Sequence, residues 1–291
     1  MRKRLALGVV AGSILVASQL MAAPVTVTFD PAAVGLSSQA PFQADNYSLS
    51  DFANATINAN GGFTQSGTLQ LNTFLQGSST VPSATSGLRN GAGSGSYGLY
   101  ITFTATGSLS SFNPAAPTTA TTGSYSNISY TFWGDPGNND TVVPGTFNLT
   151  GTGDDVVLAT GGLAGLSPNA VSILSSGVPA ANVLLSLVKG AGGAFFAAPP
   201  DVSMQETSFV NTSSVVSFTQ SGANTILSIN GGGGNGTFVT SAVTPPVTPP
   251  VTPPVTPPTT PPIVEPGSLA VIGVALCFLG LVRWRDSKRS F

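Results

Sequence analysis

The stretch YGLYITFTATG, residues 97–107, decides the fold class of this chain. Apolar side chains occupy every second position from Tyr97 to Ala105, and three threonines follow Tyr100 in the alternate positions. A period of two puts the two series on opposite faces of an extended backbone. The stretch therefore predicts a β-strand with one buried and one polar face.

The same alternation recurs along residues 24–242. It is found in PVTVTF, SNISYTFW, SVVSFT and TILSIN, which begin at residues 24, 126, 214 and 225. NVLLSLV, from residue 182, is apolar enough for a more fully buried strand. FQADNYSLSDFANATI, residues 42–57, is predicted as loop and strand, with a short helix as the alternative.

Asn-Gly pairs separate these runs and predict tight turns. The four pairs are Asn60-Gly61, Asn90-Gly91, Asn230-Gly231 and Asn235-Gly236. The glycine-rich segment GGGGNG, residues 231–236, is interpreted as a long hairpin turn. Many short strands with Gly-rich turns predict an all-β body, with an antiparallel sandwich or jelly-roll-like architecture.

The charge of the chain is low and unevenly distributed. Its 291 residues include 9 Lys+Arg and 11 Asp+Glu, or 7% charged residues, against roughly 25% in an average soluble domain. Between Asp30 and Glu265 ten acids face two basic residues, Arg89 and Lys189, so the formal charge is 2 − 10 = −8. No nucleic acid is expected as a partner, because phosphate binding requires clustered basic side chains.

The first 23 residues have the pattern of a secretory signal peptide. MRKR is followed by an apolar region, Leu5 to Ala17, and cleavage is expected beside Ala22 or Ala23. A permanent amino-terminal anchor is the alternative, although thirteen residues are too few to span a bilayer comfortably. The exported body is expected to fold without disulfides, because the single cysteine is Cys277.

A proline-rich segment follows the body. VTPPVTPPVTPPVTPPTTPP, residues 243–262, has a four-residue period and predicts a polyproline II rod of about 60 Å. A ligand for an aromatic groove is the alternative interpretation. The expected organisation is a signal peptide at 1–23, an extracytoplasmic β-rich domain at 24–242, a linker at 243–266, and an apolar helix with a basic tail at 267–291.

The last segment predicts one short transmembrane helix. Leu269 to Val282 forms an apolar block that would measure about 21 Å as a helix, against a hydrocarbon core of about 30 Å. Arg283 and Arg285 follow the block, so its carboxyl end is expected on the cytoplasmic side. The short block suits a transient span better than a permanent one.

Glu265-Pro266, the apolar block and the basic tail resemble the PEP-CTERM sorting signal of bacterial proteins that an exosortase processes. The sequence departs from that family at Val264, where the family usually has proline. TFDPAAVG, GAFFAAPPDVS and SFVNTSSVVSF are similar to phrases of flocculation-associated members. The resemblance implies an exosortase-type partner, transient membrane anchoring, and a final place at the cell surface or in an extracellular polysaccharide matrix.

The chemistry open to this chain is limited. It has no histidine, and its one cysteine lies in the apolar block, which excludes zinc sites built on Cys or His and the usual nucleophile systems. We therefore expect a non-enzymatic surface protein. A secreted glycan-acting enzyme or a calcium-dependent carbohydrate-binding module is the alternative, since a glycosidase needs two facing carboxylates. The available acids are Asp135, Asp140, Asp154, Asp155, Asp201 and Glu206.

GDPGNNDT, residues 134–141, is the loop most suited to a ligand. Asp135, Asn138 and Asp140 offer oxygens of the kind that Ca²⁺ prefers, although the same residues also form ordinary turns. No other cofactor is expected. Asp154-Asp155 is predicted as a turn entering a strand, and the nearby Tyr130 and Trp133 as sheet aromatics rather than sugar-stacking residues.

Overall fold

The computed structural model describes residues 23–90, 96–143, 145–164, 168–175, 177–209 and 216–240. All of them lie within one compact unit that ends at Val243. The predicted linker, the apolar helix and the sorting residues Val264, Glu265, Pro266, Arg283 and Arg285 lie outside the described residues, as does the predicted signal peptide up to Ala22. No helix in the described part of the chain is long and apolar enough to cross a membrane.

The described residues are dominated by β-strands. In chain order the strands are β1 (Val27–Phe29), β2 (Phe42–Ala44), β3 (Asn46–Ile57), β4 (Gly62–Gln76), β5 (Ser79–Thr80), β6 (Gly98–Leu109), β7 (Thr121–Asp135), β8 (Thr141–Val142), β9 (Leu149–Thr150), β10 (Val156–Gly162), β11 (Asn169–Ile173), β12 (Pro179–Ser186), β13 (Val188–Lys189), β14 (Phe196–Ala198), β15 (Val202–Phe209), β16 (Val216–Ser221) and β17 (Asn224–Thr240). Helix is limited to α1 (Ser83–Ser86) and two 3₁₀ turns, Ala32–Val34 and Gly193–Phe195.

Eight strands form a closed ring. Their order is β11, β12, β15, β17, β3, β4, β6 and β7, and β7 pairs again with β11. The closing contact joins Val171, Ser172 and Ile173 to Gly123, Thr122 and Thr121. The second half of β7 pairs with β10 instead. The long strand β7 therefore pairs with β11 near its start and with β10 near its end.

The all-β, antiparallel prediction is confirmed: every pairing between named strands is antiparallel. The arrangement differs from two separate sheets packed face to face, because β11 joins the two ends of the series. Closure gives the ring strands partners on both sides and removes their open edges. The sequence pattern of a single strand does not carry this information.

The predicted strands are found where the alternation placed them. Residues 97–107 lie almost entirely in β6, with Leu99, Ile101 and Ala105 buried inside the ring and Thr104 exposed outside it. The stretch 42–57 forms β2 and β3 and no helix, as expected. The turn at Asn60-Gly61 joins β3 to β4, with Gly61 at a φ of 83°.

The interpretation of GGGGNG as a hairpin turn is wrong. Residues 231–236 lie within β17, where Gly231 occupies a bulge at a φ of 87°. Gly236 pairs with Tyr47 on one side and with Glu206 on the other, and a Cβ atom at Gly236 would overlap the Tyr47 ring. The absent side chains leave room inside the ring for the large side chains of neighbouring strands.

One end of the ring is filled by aromatic side chains. The small sheet β14-β1-β2 brings Phe29 to this end. Phe29 lies 4.7–5.8 Å, between ring centroids, from five other phenylalanines: Phe42, Phe74, Phe195, Phe196 and Phe238. Such pairs contribute about 0.5–1.5 kcal/mol each beyond their buried area. These six phenylalanines form one continuous aromatic cluster within the core.

Candidate functional site

Three carboxylates meet where β7 ends. Asp135 is the last residue of β7, Asp140 precedes β8, and Asp155 precedes β10. The pairing of Val156 with Gly134 carries Asp155 to the end of β7. One carboxylate oxygen of each residue lies within 4.8 Å of those of the other two. We call these three residues the acidic cluster.

Asn138 borders the acidic cluster but uses its amide nitrogen elsewhere. Its backbone has a φ of 48°, a conformation that asparagine tolerates better than most residues. Its Nδ2 donates to the Arg89 carbonyl at 2.5 Å and to Ser96 Oγ at 2.8 Å. These two bonds fix the side chain with its amide nitrogen turned away from a ligand.

Gly98 keeps a small space open beside the cluster. A Cβ atom there would lie 3.2 Å from Asp135 Oδ2, 3.3 Å from Asn90 Oδ1 and 3.4 Å from Asn138 Oδ1. Three oxygens from separate parts of the chain therefore surround one backbone position. Asn90 is held in place because its Oδ1 accepts from the Leu99 amide at 3.1 Å, and its Nδ2 donates to the Leu71 carbonyl.

The environment of the cluster disfavours its negative charges. Burial, and then the charges of Asp155 and Asp135, raise the pKa of Asp140 to about 7. Burial also raises the pKa of Asp155, although the Tyr100 hydroxyl donates to that carboxylate. Asp135 is 1% exposed, and its Oδ1 has no hydrogen-bond partner. A bound cation would relieve this repulsion.

The acidic cluster offers the ligands that a hard cation requires. Asp135, Asp140 and Asp155 could each give a carboxylate oxygen to Ca²⁺, with the amide oxygens of Asn90 and Asn138 nearby. Two of the three residues proposed from sequence, Asp135 and Asp140, are thus brought together. Asp155 and Asn90 were not anticipated as cation ligands, because only the β7–β10 pairing and the bridge between Leu88 and Tyr97 bring them to this place.

The remaining acids are distributed differently. Asp154 and Asp155 connect a turn at residues 152–153 to the start of β10, close to the expected turn entering a strand. Asp201 is exposed just before β15, whereas Glu206 is buried inside the ring. The cluster oxygens lie closer together than the roughly 5–10 Å that separates the carboxyl groups of a glycosidase pair. This spacing suits a shared cation better than a sugar ring between two acids.

A second feature, on the outside of the ring, is a continuous polar surface that we call the polar face. One row crosses six neighbouring strands in register, and a second row runs beside it. The first row is Ser217, Ser228, Asn54, Ser66, Thr104 and Ser129; the second includes Thr56, Thr64, Thr106 and Asn127. The central part of the two rows lines a groove of about 390 Å³; the lining residues from the rows are Asn54, Ser66, Thr104, Thr56, Thr64, Thr106 and Asn127.

Two hydrogen bonds hold the loop between β8 and β9 against β3 and β4. Asn54 Nδ2 donates to the Gly145 carbonyl at 2.9 Å, and Thr68 Oγ1 donates to the Phe147 carbonyl at 3.1 Å. Most side chains of the two rows remain at least partly exposed. The face therefore presents an ordered set of hydroxyl and amide groups at strand spacing, about 4.8 Å apart across the sheet.

The two aromatics that precede the GDPGNNDT loop in sequence have different surroundings. Tyr130 is buried inside the ring, where its hydroxyl donates to the Ser186 carbonyl at 2.6 Å. Trp133 lies on the outer surface, stacked on Tyr100 with centroids 6.2 Å apart, and its Nε1 donates to Thr102 Oγ1 at 2.9 Å. Tyr130 is a core residue, and Trp133 stabilises the outer surface next to the cluster.

Comparison with known proteins found no family model, no curated protein and no solved structure that matches this chain. The geometry of the described domain therefore defines its class. It is an antiparallel all-β domain with a closed ring, a polar face on the outside and an acidic cluster at the end of β7.

Proposed function

We propose that this chain is an exported, non-enzymatic surface or matrix protein that binds extracellular polysaccharide through the polar face. The observation that carries the proposal is the register of Asn54, Ser66 and Thr104 across adjacent strands. Hydroxyl and amide groups both donate and accept hydrogen bonds, as sugar hydroxyls do. A row of hydroxyl and amide groups can bond to many successive sugar units, so it suits a polymer better than a single small molecule.

The strength of such binding comes from repetition. One hydrogen bond that replaces bonds to water contributes only about 0.5–1.5 kcal/mol. The polar face repeats the same groups over six strands, so an extended chain can form many such bonds at once. Association of many weak contacts along one polymer is suited to aggregation, flocculation and biofilm formation.

Charge points to a neutral polymer. The described residues carry nine acids but only two basic residues, Arg89 and Lys189, and the Lys189 Nζ donates to the Phe196 carbonyl at 2.6 Å. Negative surface charge repels a polyanion at low and moderate ionic strength. We therefore infer a preference for neutral glucans over acidic polysaccharides such as alginate.

The sorting part of the proposal rests on sequence alone. Residues 1–23 direct export, and the PEP-CTERM-like segment from Val264 to Arg285 holds the protein transiently in the membrane until an exosortase-type enzyme cleaves near Glu265-Pro266. The 243–262 prolines then separate the domain from its point of attachment. The final location is the cell surface or the extracellular matrix.

The experiment is a release assay on intact biofilm. We expect the protein to sediment with the polysaccharide matrix and to enter the supernatant when a glucanase digests neutral glucans. Alginate lyase serves as the matched control and should release little. Release by alginate lyase alone, or release by neither enzyme with the protein confined to membranes, would contradict the proposal.

A second candidate is a calcium-dependent carbohydrate-binding module. The buried, unpartnered Oδ1 of Asp135 beside Asp140 and Asp155 favours it. In that case a chelator should release the protein from the matrix as completely as glucanase does. If release depends on glucanase and not on the chelator, binding by the polar face needs no cation.

A further inference from the structure

Between β7 and β10 the chain leaves the main sheet and returns to it at the acidic cluster. We call the described residues of this excursion, 136–143 and 145–154, the flap. Asp135 and Asp140 lie at the end where the flap leaves β7, and Asp155 lies at the end where it enters β10. Because β10 pairs with the end of β7, the acidic cluster lies where the two ends of the flap meet.

The far part of the flap is held by contacts with the outside of the ring. The carbonyls of Gly145 and Phe147 accept the hydrogen bonds from Asn54 and Thr68. Phe147 is 4% exposed, and its ring centroid lies 6.3 Å from that of Phe52 on β3. The φ of Phe147 is 56°, which is unfavourable for a bulky residue. The flap therefore keeps this conformation only while it is held in place.

At the near end of the flap the protein leaves carboxylate oxygens without donors. Asp135 Oδ2 accepts from the Asp140 amide at 3.1 Å, but Asp135 Oδ1 has no hydrogen-bond partner, although this residue is 1% exposed. The Tyr100 hydroxyl donates to Asp155 Oδ2, and Asp155 Oδ1 also has no partner. Buried carboxylate oxygens without donors are unfavourable unless a cation pairs with them.

A small cavity adjoins the acidic cluster. Its volume is about 10 Å³, and its lining includes Asp135, Asp140, Asn90 and Asn138. None of the described residues that line it is basic, so no side chain of the lining supplies a counter-charge. A single water molecule requires about this volume. The cavity can therefore hold one ion, but it is too small for a sugar ring.

The spacing of the carboxylates fits one central ion. Ca²⁺ binds oxygen at about 2.3–2.6 Å, so two oxygens on opposite sides of the ion lie about 4.6–5.2 Å apart. The oxygens of the acidic cluster lie within 4.8 Å of one another. A gap between such oxygens is too narrow for a water molecule, yet it admits the smaller ion. The ion is enclosed when the flap folds against the ring.

We propose that Asp135, Asp140 and Asp155 bind one Ca²⁺, which joins the two ends of the flap and holds it against the outside of the ring. Asn90 and Asn138, whose Oδ1 atoms lie beside the same cavity, supply further oxygens of the kind that Ca²⁺ prefers. The ion is structural, since protein encloses it and no sugar contacts it. The proposal therefore goes beyond polysaccharide binding by the polar face and does not depend on it.

Isothermal titration calorimetry tests the binding of the ion. The full chain is placed in phosphatidylcholine nanodiscs, stripped of metal with a chelator and titrated with CaCl₂, with empty nanodiscs as the blank. We expect one Ca²⁺ per chain. MgCl₂ should bind at least about tenfold more weakly, because Mg²⁺ requires a near-ideal octahedral shell and gives up its waters reluctantly.

Amide hydrogen exchange of the same samples tests whether the ion holds the flap. Within the flap, the Phe147 amide donates to the Val143 carbonyl and the Val143 amide donates to the Asn148 carbonyl, each at 2.8 Å. Exchange of these two amides reports opening of the flap. Ca²⁺ at 100 times its Kd should slow this exchange by up to about 100-fold. The amides of β12 are the internal reference and should change less.

The variant Asp155→Asn keeps an acceptor for Tyr100 and removes one charge from the cluster. It should weaken Ca²⁺ binding about tenfold or more and reduce the effect of Ca²⁺ on exchange in the flap. Asp201→Asn, at an exposed acid, is the control and should change neither. If Asp155→Asn fails to fold by circular dichroism, Asp140→Asn takes its place.

Three results would overturn the proposal: no binding of Ca²⁺ to the wild type, binding that the cluster variant leaves unchanged, or binding that does not slow exchange in the flap. No polysaccharide is present in these measurements. Their outcome is therefore separate from that of the release assay, which tests the polar face.

Discussion

At the scale of single residues, glycines decide which side chains enter the ring. Gly236 lies in register between Tyr47 and Glu206, and only the missing Cβ lets the Tyr47 ring cross it. The hydrogen bond from Tyr47 to Glu206 depends on this gap. The GGGGNG segment is thus part of the packing inside the ring.

Substitution of Gly236 by alanine is therefore expected to be costly. The added methyl group has no free space because the Tyr47 ring occupies it, and forced repacking costs about 1–3 kcal/mol. Gly153→Ala is the matched control, since nothing lies within 4 Å of a Cβ at that position. Urea unfolding should show a lower free energy of unfolding for Gly236→Ala and almost no change for Gly153→Ala. Equal decreases in the two variants would contradict the close packing of Tyr47 against Gly236.

The acidic cluster predicts a pH-dependent stability. The folded-state pKa of Asp140, about 7, lies above its ordinary value of 3.8, so the folded chain retains a proton that the unfolded chain releases over this interval. The stability from this group is complete below about pH 4 and is lost as the pH rises to about 7. Calorimetry should give a higher melting temperature at pH 5 than at pH 8.

Variants distinguish the contribution of Asp140 to the pH dependence of the melting temperature from that of the other groups whose pKa is raised. Asp140→Asn should reduce the difference between pH 5 and pH 8, whereas Asp201→Asn should leave it intact. If the acidic cluster is a Ca²⁺ site, Ca²⁺ should raise the melting temperature of the wild type at pH 8, because a ligand of the folded state alone stabilises that state, and it should have less effect on Asp140→Asn. A melting temperature that rises from pH 5 to pH 8 would contradict the assignment.

At the scale of elements, β11 determines the closure of the ring. From Val171 to Ile173 this strand pairs with β12 on one side and β7 on the other. Every backbone N–H in this part of β11 therefore has a ladder partner. The strand is short, and its sequence, NAVSI, has no alternation long enough to identify it.

Ser172→Pro should accordingly open the ring. Proline removes one ladder hydrogen bond whichever side the N–H faces, and the carbonyl left without its donor costs about 1–3 kcal/mol. Ser172→Ala is the control, since it removes only the hydroxyl. We expect a lower urea midpoint for the proline variant and faster amide exchange along β7 and β12. Equal stability of the two variants would show that β11 does not hold the ring closed.

The long alternating strands could be predicted from sequence because each carries its own inward and outward pattern. β6 is an example: Ile101 and Thr104 fall on the faces that their polarity indicates. The acidic cluster could be predicted only where its members are near in sequence, as with Asp135 and Asp140. Asp155 and Asn90 depend on strand pairing and loop geometry, and no local pattern reports such contacts.

At the scale of the whole molecule, we propose that a polysaccharide-binding domain is followed by a sorting segment. The segment from Val264 onward lies outside the described residues, and the proposal for it rests on its likeness to a sorting signal. Intact mass of the exported protein tests it. We expect a matrix-bound species truncated near Glu265-Pro266, and a protein that keeps residues 267–291 and stays in the membrane would contradict cleavage.

Removal of residues 263–291 tests whether the domain is independent of its carboxyl-terminal segment. The described strands end at Thr240 and form a compact unit that ends at Val243. The shortened protein should therefore be released into the medium with the same circular dichroism spectrum and the same urea midpoint as the domain in the full chain. A large loss of stability would show that residues 263–291 contribute to the core.

The polar face is tested most directly by affinity electrophoresis of the protein through gels containing dextran or alginate. Ser66→Glu with Thr104→Glu places charge in the centre of the groove, and Ser124→Glu with Ser221→Glu places the same charge on exposed strand positions away from it. Dextran should retard the wild type and the control variant, the groove variant should migrate freely, and alginate should retard none. Equal retardation of all three proteins by dextran would contradict binding through the polar face.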